Sequence, residues 1–244
     1  MTQPFVPDTR GQSEFGDARL DNRMLSDQVV AFLIREITFG SLRQGQRINE
    51  AELARHLGIS RNPIREAVRR LEERGMLVSA PRRGTFVRSF TKKDIDDIFS
   101  FRLLVENFAL EQGLPRMTDA ALAEITGHAE AMDTAAVTGD EPALVEHYLA
   151  FHQCICNLSD NHQTRHAFQN IQAELQMLIT MAEQRFETLE EAAADHWPVV
   201  AAIATRDFAQ ASAALREHIK DSWRRLAEAY DRPDGAPPPI TKPD

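Results

Sequence analysis

Three histidines, His152, His196 and His218, fall in separate helical stretches of the chain's second half. Brought together by folding, three imidazoles can hold a borderline divalent ion, zinc or nickel before others, with one position left open. A single histidine is more often a surface or hydrogen-bonded core residue, so the trio matters only if it converges. His162 and His166 stand four apart, a spacing that suits a metal, but the surface of a helix near its start explains them more simply. A second set lies in the first half. Arg61, Arg65 and Arg69 recur every four residues and so line one side of a helix, while Ile64, Ala67, Val68 and Leu71 line another. Such a helix packs on its domain along one side and meets a nucleic-acid groove along the other. Ser60 and Asn62 place short polar side chains at its start, and Pro63 suits the first turn, where a missing N–H costs nothing. Arg82, Arg83 and Gly84 follow in a turn that can approach a sugar–phosphate wall.

The elements that must position these groups follow from periodicity. Leu25, Val29, Phe32, Leu33 and Ile37 predict a helix ending at Gly40, and SLRQGQRI reads as a turn-rich connection. A second helix runs from Asn49 or Glu50 to Leu57 and stops at Gly58. A third starts near Asn62, capped by Ser60 or Asn62, and ends at Gly75. The stretch MLVSAPRRGTFVRSF alternates about a turn and predicts a β-hairpin. Three short helices and a two-stranded wing make a winged helix-turn-helix over residues 19–90, preceded by a flexible polar arm over 1–18. Beyond Thr91 the strand signals vanish. Helices are expected near 93–112, 118–138, 140–158, 162–189, 189–204 and 207–230, with Pro198 kinking or interrupting the fifth. The fold class is therefore mainly α, with an antiparallel helical bundle over 91–230 and a Pro-rich, disordered tail over 231–244.

Net charge over the 244 residues is −9, which by itself speaks against a polyanion partner. The distribution reverses that. Residues 19–88 hold fourteen arginines, no lysine and eight acidic residues, a net +6, whereas residues 89–244 carry −13. A basic module joined to an acidic one suits a DNA-binding unit attached to a sensor that stays off DNA. No apolar run approaches the length of a membrane span, and the opening residues lack the pattern of a secretion signal. Cys154 and Cys156, two apart in a helical pattern, point to different sides and do not suggest a disulfide, so a cytoplasmic location is expected.

The stretch GSLRQGQRINEAELARHLGISRNPIREAVRRLEERGMLV, followed by RRGTFV, resembles the winged helix of the GntR family of transcriptional regulators over roughly Leu20–Arg88. The resemblance implies a homodimer reading a short palindromic DNA operator, with contacts from Ser60, Arg61, Asn62, Pro63, Arg65 and Gly84. Asn62 stands where threonine is usual. The second half resembles the FCD effector-binding domain of the FadR subfamily through FRLLVENFAL (Phe101–Leu110), FHQCICNLSDN (Phe151–Asn161), Asp195–Trp197 and ALREHI (Ala214–Ile219). By that pattern His152, His196 and His218 would be metal ligands, or in a metal-free pocket would hydrogen-bond an effector directly, and Tyr148, which occupies the usual acidic ligand position, would be an effector contact. Glu146 or His147 is an alternative donor if the helix is rotated. Arg102 and Glu106, one turn apart, read as a surface ion pair, but the resemblance turns Arg102 towards the cavity. There it would bind a small organic-acid effector, with Arg165 and Gln169 as lesser contacts. Effector binding then releases DNA, the behaviour of a repressor. A metal-dependent hydrolase on the helical half is the rival, weakened by the lack of a His-Glu-x-x-His motif, a nucleophile elbow or a placed general base.

Overall fold

The computed structural model describes residues 15–39, 42–181 and 188–230. The arm expected over 1–18 is helical from Phe15, because α1 spans Phe15–Thr38 and starts ten residues ahead of Leu25. Residues 1–14, 40–41, 182–187 and 231–244 lie outside the described residues, and with them Gly40, part of the helix expected over 162–189 and the expected tail. Helix α2 (Glu50–Leu57) starts under Asn49, whose side chain accepts from the backbone N–H groups of Ala51 and Glu52, and it ends at Gly58. Helix α3 (Arg61–Glu73) buries Pro63, Ile64, Ala67, Val68 and Leu71 and packs on α1. Strands β2 (Leu77–Ala80) and β3 (Gly84–Val87) form the expected hairpin. The connection read as a turn contributes a further strand, β1 (Arg47–Ile48), in the sheet order β1-β3-β2, all antiparallel. Two residues are too few for an alternation signal, so β1 is set by pairing with β3 rather than by its own pattern.

The second half is a bundle of α4 (Lys92–Gly113), α5 (Asp119–Thr138), α6 (Glu141–Asn157), α7 (His162–Met181), α8 (Leu189–Ala194), α9 (Trp197–Ala204) and α10 (Phe208–Tyr230). A capping box of Thr91 and Asp94 opens α4. Helix α6 is buried on nearly every side, through Leu144, Val145, Tyr148, Leu149, Phe151, His152, Cys154, Ile155 and Cys156, which marks it as the central helix. Gly113 permits the end of α4 to cross the end of α6, since a Cβ there would lie 2.5 Å from the backbone of Leu158. The single segment expected over 189–204 is two helices. Pro198 sits in the first turn of α9, where its ring fits, so the chain breaks before it instead of kinking.

One continuous core runs through both halves. Between them, Arg88, just after β3, pairs with Glu174 of α7 and lies 3.5 Å from Asp94. Gln44 donates from Nε2 to the Tyr230 hydroxyl at the end of α10 (2.6 Å) and accepts from the Phe90 N–H (3.0 Å). No helix among the described residues is long and apolar enough to cross a membrane.

Candidate DNA interface and effector site

The exposed side of α3 carries Arg61, Asn62, Arg65 and Arg69. Arg65 approaches Glu50 at 3.3 Å while staying 66% exposed, and Arg69 pairs with Glu73 one turn on, so both contacts are solvated and easily exchanged for phosphate. Ser60 is the N-cap by backbone geometry, but its side chain makes no capping bond, and Asn62 lies inside the helix. The hydroxyl and the N–H groups of the first turn thus stay available to an anion at the positive end of the helix dipole. Pro63 is corrected: it is buried, so it shapes the helix start and faces the core rather than a groove. Arg82 and Arg83 are exposed at the wing tip, with Arg82 at φ +63° and Gly84 at φ +104°. The tip also holds a residue that the sequence reading missed. Arg47 of β1 lies across Gly84, its Nε 2.9 Å from where a Cβ would stand, so it adds a third guanidinium beside Arg82 and Arg83. Only the β1–β3 pairing brings it there, which is why no local signal marked it.

In the bundle, His152 of α6, His196 at the junction of α8 and α9, and His218 of α10 converge, all buried, with donor atoms within 4.8 Å of one another. Their outward nitrogens are all engaged. His152 Nδ1 lies 2.7 Å from Glu106 Oε2, His218 Nδ1 2.6 Å from Asp195 Oδ2, and His196 Nδ1 3.0 Å from the Ala192 carbonyl. With Glu106 and Asp195 ionised, these carboxylates and the Ala192 carbonyl only accept, so each Nδ1 then carries the proton and each Nε2 keeps a lone pair. The Nε2 atoms of His152 and His218 then face each other at 3.3 Å. Two lone pairs that close repel unless a proton or a cation lies between them. Outward Nδ1 donation with inward Nε2 is the arrangement that orients imidazoles around a metal. Glu106 and Asp195 supply it, two residues that spacing along the chain does not assign to the site. Glu106 could have been suspected as an acid in the otherwise apolar run LLVENFAL, whereas only folding brings Asp195 to His218.

The floor of the cluster is a buried ionic network. Arg102 and Glu106 are fully buried, not the surface pair that their spacing allows. Arg102 donates from Nε to Glu106 (2.6 Å) and from Nη1 to the Tyr148 hydroxyl (2.5 Å), while its buried Nη2 has no hydrogen-bond partner among the described residues. Burial pushes the Glu106 carboxyl up to about 7, with Arg102 pulling the other way. Tyr148 lies edge-on to His152 and His196, with ring centroids 4.8 and 5.3 Å away, so it walls the cluster at the position where an acid was expected. Glu146 and His147 do not turn inward: Glu146 is exposed on a cleft between bundle and winged helix, and His147 meets His128 of α5. Arg165 is half-buried and nearest Asp160 (3.7 Å), and Gln169 is exposed on the wall of that cleft. The side chain of α7 that packs towards His152 is Phe168. His162 and His166 are exposed on the first turns of α7. Cys154 and Cys156 are both buried free thiols.

A winged helix with a row of exposed arginines, joined to an all-helical domain, is the architecture of a DNA-binding transcription factor. Comparison with known families agrees. Residues 25–87 match the family of bacterial regulatory proteins, gntR family, and residues 97–221 match the FCD domain. The chain is 31% identical over 201 residues to the probable D-xylose utilization operon transcriptional repressor of Paenarthrobacter nicotinovorans, covering 82% of this chain and 88% of that protein. It is 23% identical over 207 residues to the gluconate operon transcriptional repressor of Bacillus subtilis, covering 82% and 85%. Among solved structures, a putative GntR regulator from Rhodococcus sp. RHA1 has the same fold, with TM-score 0.73 at 22% identity, covering 84% of this chain and 98% of that one. E. coli McbR/YncC has it with TM-score 0.70 at 23% identity, covering 85% and 99%. The chain belongs to the GntR family and carries an FCD domain, the architecture of the FadR subfamily. It is a DNA-binding transcriptional regulator, not an enzyme, and the hydrolase reading finds no support.

Proposed function

We propose that the protein is a repressor that binds a palindromic operator as a homodimer and leaves it when a small organic acid occupies the bundle. The observation that carries this reading is the convergence of three outward-donating imidazoles beside an unpartnered, buried guanidinium nitrogen. His152, His196 and His218 fit a zinc or nickel ion through Nε2, and Tyr148 leaves a ligand position to be filled from outside the chain. Such an ion would supply a Lewis-acidic anchor for a carboxylate. Arg102 Nη2 is the charged donor available to the same carboxylate, and Glu106 and Asp195 hold the imidazoles in place. The two operon repressors to which the chain is similar are named for D-xylose utilization and for gluconate. A small, oxygen-rich metabolite fits that company.

Two physical connections support transmission to DNA. Helix α10 carries His218 and ends at Tyr230, which holds Gln44, and α7 carries Phe168 against His152 and Glu174 against Arg88. A shift of either helix on effector binding reaches the winged helix through those pairs. The effector acts only by its difference in affinity between the two arrangements.

The test uses full-length protein purified without affinity nickel. Elemental analysis is expected to find a divalent ion whose retention requires His152 and His218. Organic acids that raise the melting temperature should release an operator fragment from the wild type and not from the His152→Ala variant. Protein that retains no ion after zinc or nickel is supplied, and whose DNA binding no acid alters, overturns the reading.

A further inference from the structure

On the side of the bundle that faces the winged helix, α5 and α6 gather a second set of metal-binding groups. Glu124 and His128 stand one turn apart on α5, Cys154 comes from α6, and one donor atom of each lies within 4.8 Å of the other two. Cys154 Sγ is 3.4 Å from Glu124 Oε1, and His128 Nδ1 is 3.2 Å from His147 Nδ1. Around a tetrahedral ion with bonds of about 2.0–2.3 Å, neighbouring donors stand roughly 3.3–3.8 Å apart, a separation that small rotamer changes reach from here. Exposure is graded from Glu124, exposed, through His128, half-buried, to Cys154, buried, so an ion can enter from water and end against sulfur. All three line the cleft of about 1420 Å³ between the bundle and α1. Core packing explains a buried thiol and a hydrogen bond explains two neighbouring imidazoles, but neither calls for a carboxylate, an imidazole and a thiol at one point.

We propose that Glu124, His128 and Cys154 form a second metal site, separate from the three-histidine cluster, for a thiophilic divalent ion such as Zn²⁺. The Cys154–ion bond forms as the thiol proton passes to water, with no change of oxidation state. His147 occupies the Nδ1 edge of His128 and orients the ring, the role that a neighbouring hydrogen-bond partner plays for metal-bound histidines. The fourth position opens on the cleft, where a bound water or small ligand would stand between the bundle and α1.

Cobalt(II) separates this site from the histidine cluster, because only this one offers sulfur. Metal-free, full-length protein titrated with Co²⁺ should develop a near-ultraviolet thiolate-to-cobalt charge-transfer band that Zn²⁺ erases. The band should be absent in Cys154→Ser and persist in His152→Ala. Glu124 is exposed, so Glu124→Gln leaves the fold intact and should weaken Co²⁺ binding read from this band by at least about tenfold. No such band at saturating Co²⁺, or a band indifferent to both Cys154→Ser and Glu124→Gln, overturns the proposal, whatever the state of the histidine cluster.

Discussion

In the winged helix, Arg65 is 66% exposed and shares a loose contact with Glu50, and Arg61 and Arg82 are exposed too. In the bundle, Arg102 is fully buried, with Glu106 and Tyr148 at hydrogen-bonding distance and one nitrogen left over. The same side chain thus serves two purposes. An exposed arginine keeps its hydration until a phosphate or a base replaces the water, so it contributes little to stability and much to binding. A buried one has already lost its water, so its partners must stay in place, and any spare donor is a strong site for an anion. The winged helix holds its charge in reserve, and the bundle has built charge into the core.

That contrast can be broken most directly at Arg102. Arg102→Ala strands Glu106 in the core and should lower the unfolding free energy by about 3–5 kcal/mol in chemical denaturation. A near-normal midpoint would contradict the buried network. Next in size, Arg61→Ala combined with Arg65→Ala should weaken operator binding by about 10²–10³-fold, at about 1–3 kcal/mol for each base-reading arginine. The melting temperature should not move, because both side chains are exposed. Binding that survives would remove α3 from the groove.

A smaller effect is expected between the halves. Arg88→Ala leaves Glu174 without its cation and should cost about 1 kcal/mol at neutral pH, since the pair is partly exposed. Burial already raises the Glu174 carboxyl from its ordinary value, with Arg88 opposing. Folding therefore favours the protonated form, and loss of Arg88 strengthens that preference. The deficit of the variant should be full at neutral pH and fade as pH falls through the raised range of the folded Glu174 carboxyl, below which that group is neutral with or without Arg88. Stability curves of wild type and variant against pH check this, and a deficit that widens in acid would be the wrong sign. The smallest change is at the wing, where Arg47→Ala should reduce the salt dependence of DNA binding by about one unit of slope without altering half-site preference.

Much of this was legible along the chain, and for local reasons. The α3 row of arginines and its apolar seam both follow from a period of 3.6, the stops at Gly58 and Gly75 from left-handed backbone, and the hairpin from alternation around Pro81–Gly84. The misses share a cause as well. Strand β1 exists because β3 is beside it, Arg47 reaches the wing tip through that pairing, and α1 already begins at Phe15, inside the stretch expected as an arm. In the bundle Arg102, Tyr148 and the three histidines fold to one place, whereas Arg165 and Gln169 do not join them.

Sequence by itself determined which segments coil, where they stop, and which faces are charged or apolar, because those depend on neighbours a few residues away. Tertiary structure decided that an i,i+4 pair is buried rather than solvated, that Glu106 and Asp195 hold His152 and His218, and that Glu124, His128 and Cys154 meet on one wall. Desolvation and convergence arise only when segments distant in the chain pack together, and spacing along a single helix carries no record of what lies across from it.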